Sequence, residues 1–140
     1  MLHYTEEKCF TQEQVQQPFL SVGWISGQYP QRLYKALMHS STVLTVWDGD
    51  RLIGLIRVLD DSEMLAQIHY VLVHPDYQGQ GIAGEMLERI KEKYKNYLYL
   101  EGMPEDKKNV PFYEKHGEKH GFQRMEHGAA IQICNYSDKR

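Results

Sequence analysis

Two periodicities in the hydrophobic and polar positions divide the chain into its predicted elements. Apolar residues three to four positions apart, as in 81–94, predict amphipathic helices. Runs rich in β-branched residues, as in 42–47 and 52–58, predict strands, and Asp48–Arg51 between them predicts a hairpin turn. In chain order we expect a strand, two helices, three antiparallel strands, a helix, a strand, a helix and two strands. This order is typical of an α/β (α+β) domain with a central sheet covered by helices.

Local signals set the element boundaries. Thr11, followed three residues later by Gln14, indicates a capping box, so a helix runs from about Gln12 toward Val22, interrupted or kinked by Pro18. A second helix is expected to begin at Pro30, with Leu33, Tyr34 and Leu37 on its inner face and Ser40-Ser41 at its end. The other predicted elements are a strand over 64–73, a strand over 97–100, a helix capped by Asn109, and strands over 122–125 and 129–134.

Size and composition limit the classes of function. We expect residues 1–140 to form a single domain, and the net charge of −3 argues against nucleic acid as a partner. No apolar run approaches the roughly 20 residues of a membrane helix, and the charged segment 1–7 does not resemble a secretory signal. Cys9 and Cys134 lack metal-ligand spacing. We therefore expect free thiols, a cytoplasmic location and no membrane association.

A buried strand, a glycine-rich turn and an amphipathic helix follow one another over 70–87. Amides in the turn and in the first helical turn have no partner of their own, and the helix dipole makes this end positive. Such donors are suited to binding a diphosphate. Gly79 and Gly81 remove side chains that would block a close approach, and Ala83 keeps the next contact small.

A glycine pair before a helix is also common in ordinary loops, and two nucleotide-binding motifs share part of this pattern. Gly79, Gly81 and Gly84 formally match the dinucleotide fingerprint. That fingerprint belongs to the first βα unit of a parallel sheet, whereas this loop follows an antiparallel hairpin. The Gly-Lys-Ser/Thr of the Walker motif is absent from the sequence.

The wider pattern resembles the GCN5-related N-acetyltransferase (GNAT) family. Val71-x-Val73-x-Pro75 and Gln78-x-x-Gly81-x-Ala83 are similar to its acetyl-CoA signature, which is Gln or Arg-x-x-Gly-x-Gly or Ala. Asn109–Tyr113 and Gly121-Phe122 resemble its later Asn…Phe-Tyr…Gly-Phe segment. The resemblance covers nearly the whole chain and implies a mostly antiparallel sheet in which two strands splay apart to admit acyl-CoA.

The resemblance implies acetyl-CoA as donor cosubstrate and a small-molecule or peptide amine as acceptor. Backbone groups of Leu72 and Val73 would pair with the pantetheine arm as a strand does, and Asn109 would also bond this arm. The residues that would hold the pyrophosphate through their amides are Gln78, Gly79, Gln80, Gly81, Ile82 and Ala83. The resemblance also suggests a homodimer, which no residue pattern supports.

Catalysis requires a neutral amine, a polarised thioester carbonyl and a proton for the departing thiolate. An N–H near Val73 would polarise the carbonyl, and the resemblance makes Tyr113 the general acid. The alternative is that Tyr113 only packs beside Phe112. His69 is the candidate base because of its intrinsic pKa, with a bridging water or a glutamate as alternatives. Strand alternation predicts that only one of His69 and Tyr70 faces the substrate.

The acceptor itself is not identified by any motif. Trp24, Tyr29 and Tyr70 are candidate walls of its pocket, although aromatic residues are as often part of the core. Acidic residues at 60–63 would favour a cationic amine, unless they form a solvated turn. A non-catalytic acyl-CoA-binding or sensing module and a nucleotide-binding domain are the competing functions.

A direct repeat of Glu-Lys-His-Gly occupies 114–117 and 118–121. The duplication adds about one helical turn, because a turn takes ~3.6 residues, or else it forms a bulge. It also places His116 and His120 four residues apart, a zinc-ligand spacing, but His127 is the sole further ligand candidate. We therefore predict no metal site.

Overall fold

The computed structural model describes residues 1–102, 112–113, 122–125 and 131–135, which belong to two compact units, 1–102 and 103–140. The first unit contains, in order, β1 (Leu2–Thr5), α1 (Gln12–Ser21), a 3₁₀ helix (Ile25–Gln28), α2 (Pro30–Met38), β2 (Thr42–Asp48), β3 (Arg51–Asp60), β4 (Leu65–Val73), a 3₁₀ helix (Pro75–Tyr77), α3 (Ile82–Lys93) and β5 (Tyr99–Gly102).

Five strands form one sheet in the order β1-β2-β3-β4-β5. Each of the first four strands is antiparallel to its neighbours among them, and β5 joins β4 in parallel after the α3 crossover. A two-residue turn connects β2 to β3, and its first residue, Gly49, has a φ of 63°. Glycine suits this position because a two-residue hairpin turn needs a positive φ. The predicted mixed, mostly antiparallel sheet is confirmed.

Helix α1 begins at the capping box that the sequence predicts. The Thr11 hydroxyl oxygen accepts the Gln14 N–H at 3.2 Å, and the Gln14 side-chain oxygen accepts the Thr11 N–H at 2.9 Å. Of the two effects expected of Pro18, interruption or a kink, interruption does not occur, because α1 continues to Ser21 with Pro18 buried inside it. Burial of the neighbouring Phe19 offsets the hydrogen bond that a proline cannot donate.

Helices cover both faces of the sheet. Leu55 belongs to a buried cluster that also contains Phe19 of α1 and Leu37 of α2. A Cβ at the preceding Gly54 would lie 3.5 Å from the Ile82 side chain of α3. Since successive strand residues point to opposite faces, α1 and α2 lie on one face and α3 on the other.

The last two predicted strands do not form in the described residues. Residues 122–125 and 131–135 are irregular. Ile131 and Ile133 are 95% and 86% exposed, so the burial that would stabilise an apolar strand is lacking there. The helix predicted from Asn109 is described at Phe112 and Tyr113, both helical. Asn109 itself and both copies of the Glu-Lys-His-Gly repeat lie outside the described residues.

Candidate active site

The glycine-rich loop joins the end of β4 to the start of α3 in a conformation that requires glycine. Gly79 and Gly81 have φ values of 80° and 81°, in the left-handed region that L side chains rarely adopt. A Cβ at either position would meet no atom of the described residues within 4 Å. Backbone conformation, rather than crowding by the chain, therefore explains the two glycines, and the space in front of them is open.

The amides of the loop and of the first turn of α3 have no hydrogen-bond partner among the described residues. Among the described residues no acceptor is found for the N–H groups of 79–84, and the first intrahelical bond at this end runs from Glu85 N–H to Gly81 C=O at 3.0 Å. These donors lie at the N-terminus of α3, where the helix dipole adds partial positive charge. The arrangement can bind a diphosphate without any basic side chain.

The loop is held to the β2–β3 hairpin by side chains on both sides. Tyr77 donates its hydroxyl hydrogen to Asp48, and this hydrogen bond raises the pKa of Tyr77. Arg51 forms an ion pair with Asp76 at 3.3 Å. The buried His74 ring accepts the Asp76 N–H through Nδ1 at 3.1 Å, capping the 3₁₀ helix that leads into the loop. The 3₁₀ helix and the glycine-rich loop that follows it are therefore fixed to the hairpin by the same contacts.

Among the described residues, the second half of β4 has no strand partner on the side away from β3, and this side is its free edge. Pairing between β4 and β5 ends at Ile68 and Gly102, whereas β3 pairs with β4 as far as Val73. The His74 N–H donates to the Ile53 carbonyl of β3 at 2.8 Å. Along an antiparallel strand, the backbone N–H and C=O groups of successive residues point alternately to the two neighbouring strand positions. The backbone groups of Leu72 therefore point toward β3, and those of Val73 point away from it.

Gln78 occupies part of this edge. Its side-chain amide donates to the Val73 carbonyl at 3.0 Å, which agrees with the outward direction of that carbonyl. A carbonyl oxygen has a second lone pair, so Val73 keeps one acceptor site for a ligand. Val71, two residues earlier, shares the outward direction. Alternation therefore favours Val71 and Val73, rather than Leu72, as the residues whose backbone can pair with an extended ligand.

A β-bulge interrupts β4 at His69. Arg57 pairs with Tyr70 and the next residue, Val58, pairs with Ile68, so His69 is the extra residue. The rings of His69 and Tyr70 lie 4.2 Å apart between centroids. The bulge removes the strict alternation on which the expectation of a single substrate-facing residue depends, so that expectation stays a prediction.

Arg57 organises this bulge from β3. Its Nη1 donates to His69 Nδ1 at 2.7 Å, its Nε donates to the Ser40 hydroxyl at 2.9 Å, and its guanidinium lies 5.6 Å from the Tyr70 ring centroid. Partial burial, and secondarily the charge of Arg57, lower the pKa of His69. Burial also lowers the pKa of Arg57. The imidazole is therefore biased toward its neutral form.

Aromatic side chains from three elements meet beside the bulge. Trp24 stacks on Tyr70 with centroids 5.7 Å apart, and Phe19 contacts Tyr70 edge-on at 4.9 Å. The Ser26 hydroxyl is hydrogen-bonded to the Tyr70 hydroxyl. Trp24 and Tyr70, both predicted from the sequence as pocket walls, are thus brought together.

Tyr29 lies in a different environment. It lines a surface depression of about 330 Å³ with Gln12, Pro30, Gln31 and Arg32, and Arg32 stacks on its ring at 5.8 Å. No ring contact between Tyr29 and the Trp24–Tyr70 pair is found in the described part of the chain. Its predicted place in the acceptor pocket therefore has no support from contacts.

Tyr113 belongs to the second unit. Its ring contacts Phe112 and Phe122 edge-on, with centroids 5.4 Å and 5.7 Å away. Burial raises the pKa of Tyr113, so the phenol keeps its hydrogen near neutral pH.

The acidic residues at 60–63 serve the β3–β4 turn. The Asp61 carboxylate accepts the N–H groups of Glu63, Met64 and Leu65 at 2.7–3.0 Å, and these bonds lower its pKa. Asp60 accepts the Tyr94 hydroxyl at 2.7 Å. This turn precedes Leu65, whereas the glycine-rich loop follows Val73, at the other end of β4. The solvated-turn interpretation is the one that these contacts favour.

Sequence reasoning missed Arg57, Ser26 and the Asp48–Tyr77 anchor. Arg57 carried a usable signal, because it is the one charge in the otherwise apolar run 52–58. Ser26 and Asp48 carried none, since their roles depend on partners 44 and 29 residues away. Among the described residues no group of three potential ligands could hold a metal ion, and no helix is long and apolar enough to cross a membrane.

Known sequences match this chain across the site. Residues 6–117 match the model described as the acetyltransferase (GNAT) family. A ycf52-like uncharacterized N-acetyltransferase of Prochlorococcus marinus is 36% identical over 87 residues, which cover 59% of this chain and 48% of that protein. The ycf52 protein of Porphyra purpurea is 28% identical over 105 residues, covering 69% of this chain and 58% of that protein. The chain spans about half the length of these curated relatives.

Solved structures share the fold. A GNAT family acetyltransferase from Streptococcus pneumoniae is 26% identical with a TM-score of 0.76, covering 97% of this chain and 100% of that one. A protein of unknown function from methicillin-resistant Staphylococcus aureus is also 26% identical, with a TM-score of 0.81 and the same coverage.

Proposed function

The chain belongs to the GNAT acetyltransferase family, and from that premise we propose that it transfers an acetyl group from acetyl-CoA to a primary amine of a small molecule or peptide. One observation carries the proposal. Successive amides at 79–84 without acceptors among the described residues lie at the N-terminus of α3, beside the free edge of β4. A diphosphate joined to an extended amide-bearing arm needs both features together.

The coenzyme would be held by backbone groups. The amides of the glycine-rich loop would bind the pyrophosphate, and the outward groups of Val71 and Val73 would pair with the pantetheine amides. Asn109 remains a proposed contact to the same arm.

The transfer is a direct attack of the amine on the thioester. The nitrogen lone pair forms a C–N bond with the acetyl carbonyl carbon, the C–S bond breaks, and the thiolate takes a proton. A β4 amide near Val73 would stabilise the negative charge that develops on the carbonyl oxygen. The nitrogen loses one proton during the reaction, so the overall products are the N-acetylated amine and free coenzyme A.

Tyr113 is the proposed donor of the proton to the thiolate. Its raised pKa keeps the hydroxyl hydrogen in place at neutral pH. A general acid of this kind typically contributes about 10²–10⁴-fold to the rate.

The hydrogen bond from Arg57 argues against His69 as the base. A guanidinium can only donate, so Nδ1 of His69 accepts and the ring hydrogen lies on Nε2. The lone pair that a base needs is already in use, and the lowered pKa weakens it further. We assign the proton of the amine to a water molecule, and to His69 a role in binding.

A panel of amines tests the proposal, with release of coenzyme A as the readout and the acetylated product identified by mass. We expect turnover of at least one primary amine and a Tyr113→Phe variant that loses most of kcat while its Kd for acetyl-CoA is unchanged. A Tyr99→Phe variant is the matched control, because the Tyr99 side chain is 54% exposed on β5.

Two results would overturn the assignment. Tight binding of acetyl-CoA without acetylation of any amine would favour the non-catalytic acyl-CoA-binding module. Thermal stabilisation by nucleotides but not by acetyl-CoA would favour a nucleotide-binding domain, and ligand at 100 times its Kd adds about 2.7 kcal/mol to stability, which such a scan detects.

A further inference from the structure

Arg57 is a charged side chain in the middle of β3, and its partners among the described residues are all uncharged. It is half-buried, and its partners are the Ser40 hydroxyl, the His69 imidazole and the Tyr70 ring. No carboxylate in the described part of the chain forms an ion pair with it. Removing a cation from water without a counter-charge is costly, so such sites are usually completed by an anion.

The guanidinium keeps donors for such an anion. Of its five N–H groups, one is used by Ser40 and one by His69. The remaining N–H groups have no acceptor among the described residues. Because His69 accepts through Nδ1, its Nε2 also presents a hydrogen. Two neighbouring side chains therefore offer hydrogen-bond donors and no acceptor, which selects a carboxylate rather than an amine.

The surroundings indicate what else the ligand carries. Tyr70 is the cross-strand partner of Arg57, and its ring is stacked on Trp24. An apolar or aromatic group attached to the anion would pack against these rings. The free edge of β4 begins at the same bulge, immediately after Ile68. The anion site, the aromatic surface and the strand proposed to hold the acetyl donor thus adjoin within the first unit.

We propose that the acceptor is an amine that also carries a carboxylate, as an amino acid or a peptide C-terminus does, and that Arg57 and His69 bind this carboxylate. The inference rests on the proposed acetyl transfer and specifies its substrate class. Arg57 is the specificity-determining residue, because its charge is matched by a substrate group and by no carboxylate among the described side chains.

Matched acceptors test the proposal by kinetics. Each set contains an amino acid, its C-terminal amide and the corresponding decarboxylated amine, with aromatic and aliphatic examples. We expect the carboxylate form to have a kcat/KM at least about tenfold above that of the amide, since one charge-assisted pair is lost in the amide. Arg57→Gln is expected to abolish this preference, with the loss appearing as a raised KM for the carboxylate form, and Arg57→Lys to restore part of it.

Arg89→Gln is the matched control, because Arg89 is an exposed arginine of α3 paired with Glu85. Its preference for carboxylates should equal that of the parent. A parent enzyme that prefers the amide or the decarboxylated amine overturns the proposal. So does an Arg57→Gln variant that slows all three acceptors by the same factor.

A binding measurement separates failure of this inference from failure of the proposed function. The ring signals of His69 are followed by NMR while an N-acetyl amino acid or its amide is added. Perturbation by the carboxylate alone, lost in Arg57→Gln but not in Arg57→Lys, supports the anion site even if no amine is acetylated. Equal perturbation by both compounds, or by neither, contradicts it even if acetylation occurs.

Discussion

Tyr77 donates its hydroxyl hydrogen to Asp48 and so joins the start of the glycine-rich loop to the end of β2. The two residues are 29 positions apart. Their neighbours Asp76 and Arg51 form an ion pair that makes a second connection between the same two segments. The loop that would bind the coenzyme is therefore fixed at its entrance by side chains, whereas its exit is fixed by α3.

Removing the Tyr77 hydroxyl should loosen this entrance. We expect Tyr77→Phe to raise the Kd for acetyl-CoA severalfold, because the amides of the loop would no longer be pre-ordered for the diphosphate. The ring and its contact with Arg51 remain in this variant. Isothermal titration calorimetry measures the effect, and an unchanged Kd would show that Asp48 does not order the loop.

Gly81 is expected to be sensitive to an added methyl group for two separable reasons. Its φ of 81° costs an alanine roughly 1–2 kcal/mol, and the Cβ would enter the open space in front of the amides. Gly23 has a φ of 72° and equally open surroundings, so Gly23→Ala carries the backbone cost alone. We expect similar losses of Tm in both variants but weaker acetyl-CoA binding only in Gly81→Ala.

Tyr94 joins α3 to the sheet through its buried hydroxyl. This group donates to Asp60 and accepts from the Thr42 hydroxyl at 2.6 Å, and burial raises the pKa of Tyr94. Tyr94→Phe should cost about 1–3 kcal/mol of unfolding free energy, because Thr42 loses its acceptor inside the protein. Urea denaturation measures this loss. A variant as stable as the parent would indicate that these two bonds contribute nothing net.

The His69 imidazole should titrate below its ordinary value of 6.5. Burial is the main cause and the Arg57 charge the second, so Arg57→Gln should raise the pKa partway toward 6.5 while Arg89→Gln leaves it unchanged. As the pH falls through 6.5, the unfolded chain binds this proton before the folded chain does. The His69 titration therefore lowers the free energy of unfolding as the pH falls below about 6.5. NMR titration of the ring measures the pKa, and a value above 6.5 would contradict the geometry around Nδ1.

Much of the fold was predictable because its signals are local. The capping box at Thr11, the hairpin turn at Gly49 and the helix that follows Gly81 each depend on residues within four positions of one another. The bulge at His69 was not predictable in this way. It arises where the register between β3 and β4 shifts by one residue. The sequence of one strand does not specify its register with a partner strand.

The same distinction between local and long-range signals applies to the candidate site. The glycine-rich loop and the helix start that follows it are encoded in six consecutive residues, 78–83, so a local sequence pattern was enough to predict them as a binding segment. The Arg57–His69–Tyr70 group depends on pairing between two strands, and Trp24 reaches it from a third element. Sequence proximity therefore identifies groups that bind through the backbone, whereas side-chain groups assembled from distant segments require the structure.

The free half of β4 has a consequence for handling the protein without its coenzyme. An extended backbone that no strand of the described residues covers is a template on which another chain can add a strand, and Val71 and Val73 make this one apolar. A bound pantetheine arm would occupy the same groups and act as a protective cap. We therefore expect the ligand-free protein to aggregate faster on storage than the protein saturated with coenzyme A.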